Sequence, residues 1–172
     1  QARIGAVQQH QPLSRLARDL GVPGTQLWLA YNAPYGAKSE PALRFPTPKW
    51  TPANGWKVDP ALVYAHALQE SVFRASAVSP AGARGLMQIM PAAARDHAAS
   101  IGVAGTAHDL GRPEINLAFG QNHLQMLGNS AATQGLLPKV MAAYNAGLTP
   151  IGRWQYEIRD KGDPLLWIES VP

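Results

Sequence analysis

At 172 residues the chain is long enough to bury a real core in one domain, and its 46% hydrophobic and 15% charged residues exclude wholesale disorder. Fifteen Lys and Arg against eleven Asp and Glu give a net charge of +4, which suits an anionic partner but forms no basic stripe of the nucleic-acid kind. Cysteine is absent, which excludes disulfides and cysteine metal sites, and no apolar run is long enough to span a bilayer.

The first helix signal opens at Pro12, follows an apolar face of Leu13, Leu16, Ala17 and Leu20, and stops at Gly21. Pro23-Gly24-Thr25 opens a second short helix containing Leu27, Trp28, Leu29 and Ala30. The pair imitates the core of a helix-turn-helix. However, the would-be recognition helix from Thr25 to Asn32 holds no Arg or Lys, on which phosphate and guanine contacts depend. Nucleic acid is therefore not the expected partner.

Between Pro34 and Pro60 the composition changes, with Pro41, Pro46, Pro48 and Pro52 falling between them. Each proline fixes φ and removes a backbone donor, so neither a long helix nor a central strand survives there. Phe45, Trp50 and Trp56 lie in the same stretch, which predicts an extended segment anchored by its aromatics on the following domain. The organisation expected is a helical segment at 1–33, a Pro-rich connection at 34–58 and a main domain at 59–172.

Beyond Asp59 the signals are helical. Asp59-Pro60 reads as an N-cap with proline at the first helical position, opening a helix from Ala61 to about Phe73. A second helical run extends from Gly85 to about Ser100, which Pro91 either restarts or kinks. Pro113 opens a third, to Gly128, and Pro138 a fourth, through Ala143 to a stop at Gly147. Strand signals are sparse, so the fold class is mainly α.

Glu70 stands out among the carboxylates. It closes the run Ala61 to Gln69, which is apolar almost all round, and at helical spacing Val63, Ala67 and Phe73 share its face. A carboxyl in such surroundings is disfavoured as an anion, so its pKa rises, as a general acid requires. A buried ion pair with Arg74, one turn on, or with Arg84 accounts for the same residue structurally, and the residues alone leave both readings open. His66 shares an i, i+4 spacing with Glu70, but two ligands are too few for zinc and the five His are otherwise scattered, so His66 reads as a core or rim residue.

From Glu70 the chain reads E-S-V-F-R-A-S-A-V-S-P-A-G-A-R-G-L-M-Q-I-M-P to Pro91, followed by N-L-A-F-G at 116–120, A-Y-N-A-G at 143–147 and E-S-V-P at 169–172. These blocks, in this order, closely resemble the lytic transglycosylases related to the soluble periplasmic enzyme, a lysozyme-like family. The resemblance is close from Asp59 onward and looser over residues 1–58, where the helices resemble the tail of a preceding superhelical domain.

The resemblance implies a lysozyme-like helical domain that cleaves the β-1,4 bond between N-acetylmuramic acid and N-acetylglucosamine in peptidoglycan strands, in the periplasm, without metal or cofactor. Glu70 is then the single acid and base, and the muramyl 6-hydroxyl is the nucleophile, giving 1,6-anhydro ends. The residues implied to meet substrate are Ser79, Gln88, Met90, Asn116, Tyr144, Asn145 and Glu169. Ser79 matches a serine that hydrogen-bonds the muramyl N-acetyl group, and Tyr144 one that orients Glu70. Read without the family, Tyr144 and Met90 are equally core residues, Gln88 a cap, and Gly82 and Gly85 turn formers.

The chain departs from the family where Arg74-Ala75 stand for Asn-Pro, where His123-Leu124 stand for Tyr-Leu, and in stopping at Pro172. Tyr64, Tyr144, Trp154 and Tyr156 supply the aromatic faces from which a sugar-binding cleft is expected to draw. Two other outcomes are distinguishable: a goose-type muramidase that uses water, and a glycan-binding module without turnover. The G-L-M-Q-I-M-P block favours the transglycosylase.

Overall fold

A computed structural model describes residues 7–37, 40–103 and 105–172. Helices dominate the described residues: α1 (Val7–Asp19), α2 (Pro23–Tyr31), α3 (Pro60–Ser71), α4 (Pro91–Ile101), α5 (Pro113–Gly128), α6 (Leu137–Ala146), α7 (Leu148–Glu157) and α8 (Pro164–Glu169). Two isolated antiparallel bridges are the sole β pairing among them, as the sparse strand signals predict. The chain divides into two compact units, Gln1–Phe119 and Gly120–Pro172, with the boundary inside α5.

In the first unit, α1 packs on α2, and α2 on a 3-10 turn at Pro41–Arg44. Pro12 lies inside α1 rather than at its start. A proline at the sixth position of the helix forfeits one bond, to the Gln8 carbonyl, and tertiary packing compensates. The buried side of α1 is also polar. His10, Ser14 and Ala17 face inward, whereas Leu16 and Leu20 of the expected apolar face are 52% and 67% exposed. Of the inward set, His10 Nε2 lies 2.8 Å from the Leu29 carbonyl and Ser14 donates to the His10 carbonyl at 2.9 Å, while the buried His10 Nδ1 has no hydrogen-bond partner among the described residues.

The proline-rich segment forms no regular element beyond that turn. Its anchors are partly those expected: Trp50 lies 6.4 Å from Phe73, and Trp56 meets Tyr64 edge-on at 5.5 Å. Phe45 is not an anchor, being 69% exposed; Leu43, Pro46 and Pro48 are buried instead. Tyr64 of α3 donates its hydroxyl to the Pro48 and Trp50 carbonyls at 2.6 and 2.7 Å, satisfying backbone groups that no strand partner could reach. Ala53 donates to the Glu114 carbonyl at 2.9 Å, fastening the same segment to the start of α5.

The expected N-cap of α3 forms, the Asp59 carboxylate accepting from the Ala61 N–H at 2.8 Å with Pro60 following. The helix stops at Ser71, two residues before the expected end, because Val72 and Phe73 both take left-handed φ values, 54° and 58°. The residues expected to open a helix at Gly85 do not: 85–90 is a loop, and the helix begins afresh at Pro91. The positive φ of both Gly85 (+76°) and Gln88 (+48°) rules out helical continuation there.

The second unit contains the rest of α5 with α6, α7 and α8, of which the last two carry signals the sequence reading passed over. Gly147 ends α6 and, at φ 81° and ψ 168°, also begins α7. Leu124, Leu127, Val140, Ala143, Ile151 and Trp167 form the buried interior, where the Lys139 ammonium lies 5.3 Å from the Trp167 ring centre.

Candidate active site

Glu70 occupies the last turn of α3, one residue from its end. Val63 and Ala67, two turns and one turn earlier on the same stripe, are fully buried, and Glu70 extends that stripe to where it becomes half-buried. Burial pushes its pKa above the ordinary glutamate value, and the positive influence of His66 opposes this in part.

Neither ion pair offered as a structural role for Glu70 forms. Arg74 is exposed and turns its Nε to the Ser71 carbonyl at 3.1 Å, and the salt bridges among the described residues lie elsewhere. His66 is 8% exposed with Nδ1 3.0 Å from the Leu62 carbonyl, a bond that makes Nδ1 the protonated nitrogen in the neutral ring. Glu70 thus carries a carboxyl that the fold partly dehydrates and does not pair.

The chain turns back immediately after Glu70. Val72 at φ 54° is a β-branched residue in the left-handed region, a rare state that costs of order 1–3 kcal/mol. Phe73 holds the turn by its burial against Trp50 and Tyr64, and its N–H donates to the Ala67 carbonyl at 3.2 Å. The reversal directs the chain into a loop from 77 to 90, where Val78 pairs with Arg84 and Arg84 with Ile89.

Four of the residues implied by the motifs belong to this loop or its support. Ser79 accepts the Ala83 N–H on its hydroxyl oxygen at 3.0 Å, which fixes the side chain and leaves the O–H proton to donate. Gln88, half-buried, donates its Nε2 to the Gly85 carbonyl at 2.9 Å, so the capping role weighed for it is present. Met90 is 43% exposed and is the residue before α4, not core filler.

Asn116 is fully buried, with an accessible surface of 0%. Its Oδ1 accepts from Met87 N at 2.8 Å and its Nδ2 donates to the Arg84 and Leu110 carbonyls at 2.8 and 3.0 Å. One buried amide therefore satisfies three backbone groups and sets the loop. Gly85 is compelled by the same packing: a Cβ there would lie 2.2 Å from both Asn116 Nδ2 and the Leu110 carbonyl, besides its positive φ.

In the second unit, Tyr144 is half-buried on α6 and meets His123 edge-on at 5.0 Å. Asn145 follows it on the exposed side, and Glu169 is exposed at the end of α8. Of the aromatics expected to face a cleft, Trp154 is a core residue at 9% exposure, Tyr64 has committed its hydroxyl to backbone, and Tyr156 is 85% exposed.

Against known proteins, residues 51–166 match the family model described as the transglycosylase SLT domain. The chain belongs to that family. Among curated relatives of the SLT domain, the soluble lytic murein transglycosylase of Escherichia coli K12 is 31% identical over 121 residues, covering 69% of this chain and 18% of the relative. A putative soluble lytic murein transglycosylase of Haemophilus influenzae is 35% identical over 107 residues, or 62% of this chain and 18% of that one. The chain therefore spans about a fifth of the length of these relatives.

The crystal structure of the 70 kDa soluble lytic transglycosylase of Escherichia coli superposes with a TM-score of 0.78 at 24% identity, covering 99% of this chain and 28% of that one. An inactive glutamate-to-glutamine mutant of the Pseudomonas aeruginosa enzyme superposes with a TM-score of 0.72 at 25% identity, with the same coverage of both chains. A complex of the 70 kDa enzyme with bulgecin A gives 0.76 at 25% identity, again covering 99% and 28%. The fold is thus the helical one expected. The sequence signal for the turn-setting role of Asn116 was also present: an Asn flanked by Ile115, Leu117, Ala118 and Phe119 must find its partners inside the protein.

Proposed function

We propose that this domain is a peptidoglycan lytic transglycosylase, cleaving between N-acetylmuramic acid and N-acetylglucosamine with Glu70 as the single acid and base. The observation that carries the reading is the Glu70 carboxyl, half-buried at the end of an apolar stripe, raised in pKa by desolvation and in no salt bridge among the described residues. The relatives of the same family bear the name of this activity. The substrate lies in the periplasm, and so, in this reading, does the enzyme.

The chemistry follows from one carboxyl. Protonated Glu70 gives its proton to the glycosidic oxygen as the bond to muramyl C1 breaks, and the leaving sugar departs with that proton. The resulting carboxylate then takes the proton of the muramyl 6-hydroxyl while its oxygen bonds to C1. Glu70 ends protonated, as it began, and no water is consumed. A second carboxylate, which hydrolytic glycosidases require, has no part to play. Ser79, Gln88, Met90, Tyr144, Asn145 and Glu169 are proposed to meet the substrate.

The experiment is digestion of purified peptidoglycan with mass analysis of the muropeptide ends. Anhydro ends that resist borohydride, one water lighter than hydrolysis products, are expected. Predominantly reducing ends would reassign the domain as a muramidase, and intact strands would make it a binding module.

A further inference from the structure

His66 is a buried imidazole to which the proposed chemistry assigns no part. It lies one helical turn before Glu70 on α3, on the same face of that helix. Residues four apart on a helix have their Cβ atoms about 5–6 Å from one another, close enough for the charge of one side chain to act on the other. The ring is also held. It is 8% exposed, and its Nδ1–H donates to the Leu62 carbonyl at 3.0 Å, one turn further back. Nε2 is therefore the nitrogen that gains and loses the second proton, and the ring changes charge without changing place.

Other charges do not compete for the carboxyl. Arg74, the next cation along the chain, turns its Nε to the Ser71 carbonyl, and Asp59 caps the opposite end of α3. On the segment that packs against α3, Lys49 and Lys57 are exposed. The Tyr64 hydroxyl donates to backbone carbonyls and stays neutral, because burial raises its pKa. None of the salt bridges among the described residues involves His66, Glu70 or Arg84 of the loop that follows. Among the described residues, the charge that acts on the Glu70 titration is that of His66, and it opposes the effect of burial.

The proposed reaction asks two things of Glu70 that burial alone does not reconcile. Burial keeps the proton on, which suits the start, but the departure of the leaving sugar requires that the carboxylate be tolerated. A cationic ring one turn away supplies the second. We propose that His66 is a positioning residue for the acid and base, its imidazolium serving as the counter-charge for the carboxylate formed when Glu70 gives up its proton. The proposal rests on the reading of Glu70 as acid and base, and it adds a second group through which pH acts on the site.

The test follows the Glu70 side-chain carbon by NMR across pH in wild type, His66→Asn and His66→Gln, alongside peptidoglycan cleavage by the same proteins. Asn presents a donor where Nδ1 stands, so the bond to the Leu62 carbonyl is kept while the charge is lost. In both variants the Glu70 midpoint should move to higher pH. Relative to each protein's own acid plateau, turnover at a fixed pH on the alkaline limb should rise about threefold, because more of the carboxyl keeps its proton there. A ring that served only the fold would lower turnover by one factor at every pH and leave the midpoint in place, and that result would overturn the proposal. A second readout needs no variant. In wild-type protein the His66 ring resonances should carry an inflection at the Glu70 midpoint, and its absence would overturn the proposal even if both variants failed to fold. These titrations are made without substrate. Failure of the transglycosylase reading would register elsewhere, in turnover retained by Glu70→Gln or in reducing ends after wild-type digestion.

Discussion

Glu70 and Asn116 are both polar residues set into largely apolar helices, and the fold treats them in opposite ways. Asn116 is fully buried and answers three backbone groups, so its polarity is spent on structure. Glu70 is half-buried, raised in pKa and in no salt bridge among the described residues. A saturated buried amide stabilises and specifies a loop; a dehydrated, unsaturated carboxyl has the chemistry that the proposed function requires. Substitutions at the two positions should accordingly separate activity from stability.

The largest effect is expected from Glu70→Gln. The amide is nearly isosteric but cannot give and recover a proton, and acid–base catalysis of this kind is worth roughly 10²–10⁴-fold, so turnover should fall at least that far. The melting temperature should not fall, because no native ion pair is lost. Retained turnover above about a tenth of wild type would remove Glu70 from the acid–base role. A collapse in melting temperature would show that it serves the fold.

Asn116→Ala inverts the pattern. It strands the Met87 N–H and the Arg84 and Leu110 carbonyls inside the protein, at about 1–3 kcal/mol for each buried group left unsatisfied. A loss of about 3 kcal/mol in denaturant unfolding is expected, with activity falling as a consequence of the misplaced loop. A loss under about 1 kcal/mol would mean that water replaces the amide and that the loop does not depend on it.

These two residues also mark how far the sequence could be read. The N-caps and prolines at Asp59-Pro60, Pro91 and Pro113 were legible because they act through local geometry. The raised pKa of Glu70 was legible because its neighbours at helical spacing are apolar. The burial of Asn116 was harder to read, because a motif names a residue without saying whether it faces solvent, and burial is set by partners at 84, 87 and 110.

The early stop of α3 was missed for a related reason. Val and Phe at 72 and 73 have no local preference for left-handed φ, and the turn is imposed by the burial of Phe73 among Trp50 and Tyr64. The inward-facing His10 and Ser14 of α1 likewise depend on a partner carbonyl in α2 and a shared backbone, not on periodicity.

The smallest expected effect lies in that turn. Val72→Gly removes a β-branched side chain from left-handed backbone, and Val72 is 49% exposed, so little burial is lost. Stability should rise by about 0.5–1 kcal/mol, less than the full strain because glycine also loosens the unfolded chain. A decrease would show that the exposed valine packs usefully and that the turn carries no strain.

The contrast between the two residues is tested most directly by titrating the Glu70 carboxyl itself, following its side-chain carbon by NMR across pH in parallel with peptidoglycan cleavage. The carboxyl should titrate above the ordinary glutamate value, and cleavage should fall with the same midpoint as pH rises, because the proton must be present for the first step. The sign for stability is the same: the contribution of this carboxyl is fully present below the unfolded value and is lost as pH rises through the folded one, so Glu70→Gln should gain on wild type above that range and match it below. A Glu70 carboxyl titrating at or below the ordinary value, with cleavage indifferent to its ionisation, would contradict the account.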